Sequence, residues 1–356
     1  GAQPWQLDPV PLVIEAAAWS RLEVGLAQRA ELLNALLADL YGPQKMLSSG
    51  VIPSAAIFAH SGFTRTSARA GGFDTQPLLL SAADLGRDAD GEWRVLADRV
   101  QAPSGLGFAM ENRRVISQVL PELYHQVDLH RLEPYFAALR AALIGTEGEE
   151  KSAPRVVVLS PGPHSETAFD QAYLANALGF PLVQGSDLVV RDGWVWMKPA
   201  GWPRATAIPR ERIDVIVRRV DAEYCDPLEL RADSQLGVAG LAEAVRRGRV
   251  RVINGLGSGV LENPALMPYL PAVSERLLGE QLRLPSVPTW WCGDAEARES
   301  VLARLAEGDP HLIVRPIDEP HRSVAELDAG ELAALVTATP HRYVGQEIMP
   351  LSQAPA

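Results

Sequence analysis

Lysine is almost absent from this chain. Of its 33 basic residues only Lys45, Lys151 and Lys198 are lysines, and the other thirty are arginines. Any grip on a phosphate or carboxylate must therefore come mostly from guanidinium groups, which offer a planar fork of donors rather than a point charge. Cysteine is nearly as scarce. Cys225 and Cys292 stand far apart, the seven histidines are scattered and there is no HExxH motif, so a zinc site is not expected. Two distant cysteines give no disulfide framework, and a reduced, cytoplasmic protein is the expectation. No apolar run reaches the roughly 18 residues that a membrane span requires. No signal peptide is read at the start, where Gly1 looks like a cloning remnant. Positive charge is also in deficit: a net charge of -11 argues against a broad nucleic-acid footprint and leaves room only for a local basic pocket. Neither the phosphate-loop pattern GxxxxGK nor the dinucleotide pattern GxGxxG is found, which disfavours a plain Rossmann-type nucleotide binder.

The 356 residues suggest two or three structural units. Residues 12–40 carry apolar positions at three- and four-residue spacing and predict one long amphipathic helix, stopped by Tyr41-Gly42-Pro43. Residues 77–100 predict short strands around a turn at Asp88-Ala89-Asp90-Gly91, and 113–145 predict helix interrupted near Pro121. The charged stretch 145–154 is a plausible linker. RVVVLSPG follows as a buried-type strand, then a helix and a strand at Pro181–Val183, which is a β-α-β unit and implies a parallel sheet. Ligands of such sheets sit at the carboxyl ends of the strands, so the loop Ser160–His164 is a candidate pocket wall. A hairpin with Asp-Gly at its turn is expected over 187–199, a buried strand over 213–220, and a strand running into a glycine-rich turn over 250–259. No internal repeat is found, and the fold class is mixed α/β.

The stretch from Trp93 to Arg114 carries the most chemistry. Asp98 ends a strand-like run, and Glu111 with Asn112 follows after a Pro/Ser/Gly loop. A carboxylate followed by a carboxylate–amide pair can hold Mg²⁺ against nucleotide phosphates. Glu111 and Asn112 are adjacent, so on a regular strand they would point to opposite faces, and both would bind metal only if a bulge intervened. The bland alternative is a solvent-facing strand end and a helix N-terminus. Arg99, Arg113 and Arg114 are candidates for phosphate or carboxylate binding, against surface ion pairing as the plain reading. Arg218 and Arg219 end a β-branched strand, where one of an adjacent pair must face inward and would need a partner or a ligand. Asn254, Gly255, Gly257 and Gly259 form a turn whose amides suit an anion; the alternative is a tight turn that needs positive φ.

Several blocks together resemble the circularly permuted type 2 ATP-grasp family, which is similar to glutathionylspermidine synthase-like ligases: GLAQRAELLNALLADLYGPQKML (25–47), GEWRVLADRVQAPSGLGFAMENR (91–113), SPGPHSETAFDQAYLANALG (160–179), IVRRVDAEYCDPLEL (216–230), INGLGSGVLENPALMPYLP (253–271), VPTWWCGD (287–294) and RYVGQEIMPLS (342–352). The resemblance implies an ATP-grasp architecture with a pre-ATP-grasp-type βαβ subdomain. It implies ATP, Mg²⁺ and an amide bond formed between small-molecule carboxylate and amine substrates through an acyl-phosphate; the net charge and the lack of a long apolar run lead to the expectation of no nucleic-acid and no membrane partner. It places Asp98, Glu111 and Asn112 on a metal-binding strand pair, Arg315 where the family commonly has a phosphate-binding Lys, and Gln346, Glu347 and Ile348 on the hinge that meets adenine. The expected spans are 1–145 for the helical and metal-strand portion, 154–285 for the βαβ-containing portion, and 286–356 for the nucleotide side, apparently truncated at Ala356. Besides the early end at Ala356, two features depart from the family. Pro264 stands where relatives often carry Lys, and no glycine lies between Gly308 and Gly330, where a phosphate-covering flap is usual. A degenerate, non-catalytic ATP-grasp module that binds a ligand or partner is therefore the alternative to a ligase. The identity of the substrates and the oligomeric state are left open.

Overall fold

A computed structural model describes residues 6, 7, 10, 12–65, 78–145, 153–199, 202, 209–318, 324 and 327–353. Helices α1 (Ala16–Tyr41), α2 (Lys45–Ser48) and α3 (Ser54–Phe58) lead into a hairpin of β1 (Ala82–Arg87) and β2 (Trp93–Arg99). Helices α4 (Leu106–Val119), α5 (Pro121–Gln126) and α6 (Glu133–Ile144) precede β3 (Val156–Leu159), α7 (Ala168–Leu178) and β4 (Leu182–Val183). Next come β5 (Leu188–Arg191), β6 (Trp194–Met197), β7 (Arg212–Ile213), β8 (Val215–Arg218), α8 (Leu241–Arg246) and β9 (Arg251–Ile253). The remaining elements are α9 (Leu270–Leu277), β10 (Thr289–Trp291), α10 (Ala295–Glu307), β11 (Leu312–Pro316), α11 (Ala329–Ala338) and β12 (Tyr343–Glu347). The expected linker falls mostly on 146–152, and much of the segment after Arg315 falls on 319–323, 325 and 326; both lie outside the described residues.

Packing divides the chain into two units that cut across the three expected spans. One is built mainly from Ala102–Ile253, the other from Ala16–Gln101 with Asn254–Gln353. The first, the parallel-sheet unit, centres on four parallel strands in the order β4-β3-β8-β9. All four residues of β3 and of β8 are buried, as expected of central strands in a parallel sheet with both faces covered. Helices α4 and α6 pack on α7. The contact with α4 is close because Gly107 has no side chain: a Cβ there would lie 2.8 Å from the Tyr173 Cβ. A second sheet, β5-β6-β7, begins with the expected hairpin. Asp192 at φ 55 and Gly193 at φ 77 make its turn, the left-handed pair that a two-residue hairpin loop requires.

The other unit is antiparallel. The β1–β2 hairpin turns over 88–91 and shifts register between Asp84 and Leu85, and β12 is the centre of a β10-β12-β11 sheet. Helix α1 supplies the core, with Leu32, Leu33, Leu36, Leu37 and Leu40 packed among Ile52, Ile57, Val260, Leu266 and Val344. Each fully buried leucine contributes about 1.5–3 kcal/mol relative to its exposed state. The helix stops where expected, and the Asp39 carboxylate then accepts the amides of Lys45 and Met46 to start α2. The segment Pro264–Tyr269 is 3₁₀ before α9 begins, because the recurring prolines withhold amide donors.

Candidate functional site

In the parallel-sheet unit the chain leaves β3 through α7 toward β4 on one side, and leaves β8 through α8 toward β9 on the other. β3 and β8 are neighbours, with Leu159 paired to Arg218. That reversal is a topological switch point, where open α/β sheets place their ligands. A cleft of about 250 Å³ opens there. Pro161, from the expected stretch Ser160–His164, and Ser165 and Thr167 just beyond that stretch line one wall, and Arg219, Asp221 and Tyr224 after β8 line the other.

Arg218 and Arg219 are both buried, not one in and one out, as are all four residues of the central strand β8. Arg218 is fully buried and donates to the Val220 carbonyl at 3.0 Å. Arg219 lines the cleft. Its amide donates to Leu159 at 2.7 Å, extending the strand pairing, and its guanidinium lies 3.6 Å from the Asp170 carboxylate of α7. The Arg219 side chain is 2% exposed, and its Nε finds no hydrogen-bond partner among the described residues. Burial lowers the Arg219 pKa from its ordinary value; Asp170 opposes that shift and Arg218 reinforces it. Asp170, Ser165, Thr167 and Tyr224 were not singled out from sequence. The one signal that could have found them is the placement of the first three within the loop and helix that follow β3.

The expected metal residues are engaged elsewhere. Asp98 ends β2 as anticipated, but both of its oxygens face Arg29 of α1, at 2.7 Å each, and the two side chains are 4% and 2% exposed. Glu111 and Asn112 do not lie on a strand. They sit in α4, in the other unit, because the helix begins at Leu106, immediately after Gly105 at φ 118. Glu111 forms an i,i+3 pair with Arg114 on the helix surface, which holds its pKa below the ordinary carboxylate value. Among the described residues no group of three or more His, Cys, Asp or Glu is gathered to hold a metal ion. Mg²⁺ demands near-octahedral oxygen ligands at about 2.0–2.1 Å. The residues expected to bind it do not fit that requirement.

The other predicted residues sort by what their polar atoms already do. Arg99 pairs with Asp84 at 2.8 Å, half-exposed, and Arg113 donates to the His130 carbonyl. Asn254 is not open to a ligand: it accepts from the amides of Leu79 and Leu80 and donates to the carbonyls of Leu80 and Val100, all within the antiparallel unit. The glycine-rich turn does not use positive φ at Gly257, which has φ -94. Its glycine is required by close approach, since a Cβ would meet the Tyr41 Oη at 2.3 Å, and that hydroxyl donates to the Gly257 carbonyl at 3.1 Å. Arg315 donates to Gln346 Oε1 at 3.0 Å across β11 and β12. Burial lowers its pKa and nearby Arg99 adds to the shift. Glu347 pairs with Arg304 at 2.8 Å. The amides of Glu347 and Ile348 donate to the carbonyls of Pro288 and His311, so these two donors are used within the protein.

Comparison with known proteins settles the lineage. The family model for circularly permuted ATP-grasp type 2 matches residues 11–356. The chain belongs to that family. Its mixed α/β architecture is an ATP-grasp-type fold. Among similar ATP-grasp relatives, the uncharacterized protein Rv2567 of Mycobacterium tuberculosis is 49% identical over 99% of this chain, which spans 39% of that protein. The uncharacterized protein sll0335 of Synechocystis is 34% identical over 98% of this chain and 72% of its own length. The apo structure of a glutathione synthetase-like effector, GSS30, from Globodera pallida superposes with a TM-score of 0.51 at 12% identity, covering 95% of this chain and 73% of that one; it shares the fold. Among the described residues of this ATP-grasp chain, no helix is long and apolar enough to cross a membrane.

Proposed function

We propose that this chain is a ligand-binding ATP-grasp module without a metal-dependent transfer centre. The supporting observation is the buried Arg29–Asp98 pair. A buried carboxylate whose two oxygens each accept from one guanidinium at 2.7 Å already has its charge matched, so drawing it onto Mg²⁺ would require the buried Arg29 to give up that pair. Glu111 is likewise held by Arg114. No phosphoryl-transfer step follows from these residues, and the activity of the longer proteins to which the chain is similar is part of the same proposal.

A second reading is an ATP- and Mg²⁺-dependent carboxylate–amine ligase that works through an acyl-phosphate on small-molecule substrates. It is favoured by Arg315, a partly buried cation on β11 beside Gln346, where the family resemblance puts the grip on nucleotide phosphates. Calorimetric titration of the chain with ATP, once in Mg²⁺ and once in EDTA, separates the two. The module reading predicts that Mg²⁺ adds nothing to ATP affinity and that no ADP is released. Mg²⁺-dependent binding with ADP release, both lost in Asp98→Asn, establishes the ligase.

A further inference from the structure

The cleft between the ends of β3 and β8 presents charges of both signs that the protein leaves partly unmatched. Arg219 brings a buried guanidinium to its wall, with Nε unpartnered. A buried donor without an acceptor is destabilising, and a guanidinium especially so, unless a ligand completes it. The hydroxyls beside it are pre-arranged. The Gln171 side-chain amide donates to Ser165 Oγ at 3.1 Å and to Thr167 Oγ1 at 2.9 Å. Each hydroxyl therefore has an acceptor lone pair occupied and keeps its own O–H to give. The two oxygens are 3.3 Å apart, so at most one of these protons is spent between them. Gln171 is itself fixed by Ser160 at the end of β3. The cleft thus holds a cation and at least one free hydroxyl donor, a set that fits an oxyanion.

Opposite polarity comes from Asp221, an exposed carboxylate on the same cleft two residues beyond Arg219. Asp170 is occupied: besides facing Arg219 it accepts the Gly107 amide at 2.6 Å. Among the residues that line the cleft, the charges are balanced, with Arg219 the cation and Asp221 the anion. A phosphate dianion would upset that balance and be repelled by Asp221. A ligand of zero net charge with separated poles preserves it. The remaining wall includes Pro161, Val220 and Leu236, which suit an aliphatic substituent.

We propose that this cleft binds a free aliphatic α-amino acid, its carboxylate on Arg219 and the Ser165 and Thr167 hydroxyls, its ammonium on Asp221. Every group named lies within the parallel-sheet unit, so the site stands whether or not the chain turns over nucleotide.

The test is ligand-observed NMR and calorimetry on the whole chain with four probes: L-valine, isovalerate (the same acid without the ammonium), isobutylamine (without the carboxylate) and inorganic phosphate. L-valine should bind at least roughly tenfold more tightly than any of the other three, because each lacks one charge-assisted contact. Arg219→Gln should weaken valine by roughly tenfold or more. Because that residue is buried and its variant can fail to fold, the deciding variant is the exposed Asp221→Asn, which should lower valine affinity roughly tenfold while isovalerate, relieved of a like charge, binds no more weakly than before. Isovalerate or phosphate binding as tightly as valine overturns the proposal. So does a valine preference that survives Asp221→Asn, or the absence of valine binding up to roughly 10 mM.

Discussion

Removing the Asp98 carboxylate separates a structural role from a metal-binding one. In Asp98→Ala, Arg29 keeps its contacts to the Leu284 carbonyl at 3.2 Å and Ser286 Oγ at 2.9 Å but loses both charge-assisted bonds at 2.7 Å, inside a site where it is 1% exposed. An uncompensated buried guanidinium of this kind costs about 3–5 kcal/mol. At roughly 2–4 °C per kcal/mol for a unit of this size, the thermal midpoint should fall by about 6–20 °C. Asp98→Asn retains one acceptor and should fall between. Replacing both partners, as Arg29→Met with Asp98→Leu, should recover most of the loss, because the penalty comes from the orphaned charge and not from the absence of the pair. Thermal and urea denaturation followed by circular dichroism measure all four proteins. If Asp98 were a metal ligand waiting for its ion, Asp98→Ala would change stability by less than about 0.5 kcal/mol, and Mg²⁺ would raise the wild-type midpoint. That pair of results would refute the reasoning.

Gly257→Ala should destabilise by about 1–3 kcal/mol, since the new Cβ would lie 2.3 Å from the Tyr41 hydroxyl and either the ring or the turn must move; a denaturation midpoint equal to wild type would contradict this. His60 should make the antiparallel unit acid-sensitive. Burial holds its imidazole below the ordinary value of 6.5 against the opposing pull of Asp318, and its Nδ1 accepts from Gly62 while Nε2 faces the Ile317 carbonyl, an arrangement for the neutral ring. The unfolded chain takes up the proton first, so this contribution is complete above pH about 6.5 and is lost as pH falls below it. Wild-type stability should therefore drop more than that of His60→Gln between about pH 7.5 and 5.5; parallel curves would contradict the assignment.

The regular elements were legible because their signals are local. The period of α1, the Asp192-Gly193 turn and the run of β-branched residues in β3 and β8 each lie within one short window. The cleft was half legible. Its walls, Ser160–His164 and Arg218–Arg219, could be named separately, but only the pairing of Leu159 with Arg218 makes them one site. What misled was side-chain chemistry read without its partner. Asp98 looks like a ligand until Arg29, on a helix 69 residues earlier, is placed against it. Glu111 and Asn112 looked like strand residues because the helix start at Leu106 is marked only by Gly105. Gly257 suggested a positive φ, whereas its need for a small residue comes from Tyr41, far away in the chain.

The most direct test of the central claim is a crystal of the chain soaked with a non-hydrolysable ATP analogue and Mn²⁺ in place of Mg²⁺, read by anomalous scattering. The account predicts no manganese on Asp98 and the Arg29–Asp98 pair intact. A manganese ion bound to an Asp98 oxygen, with Arg29 displaced and phosphate oxygens completing its coordination, would contradict it.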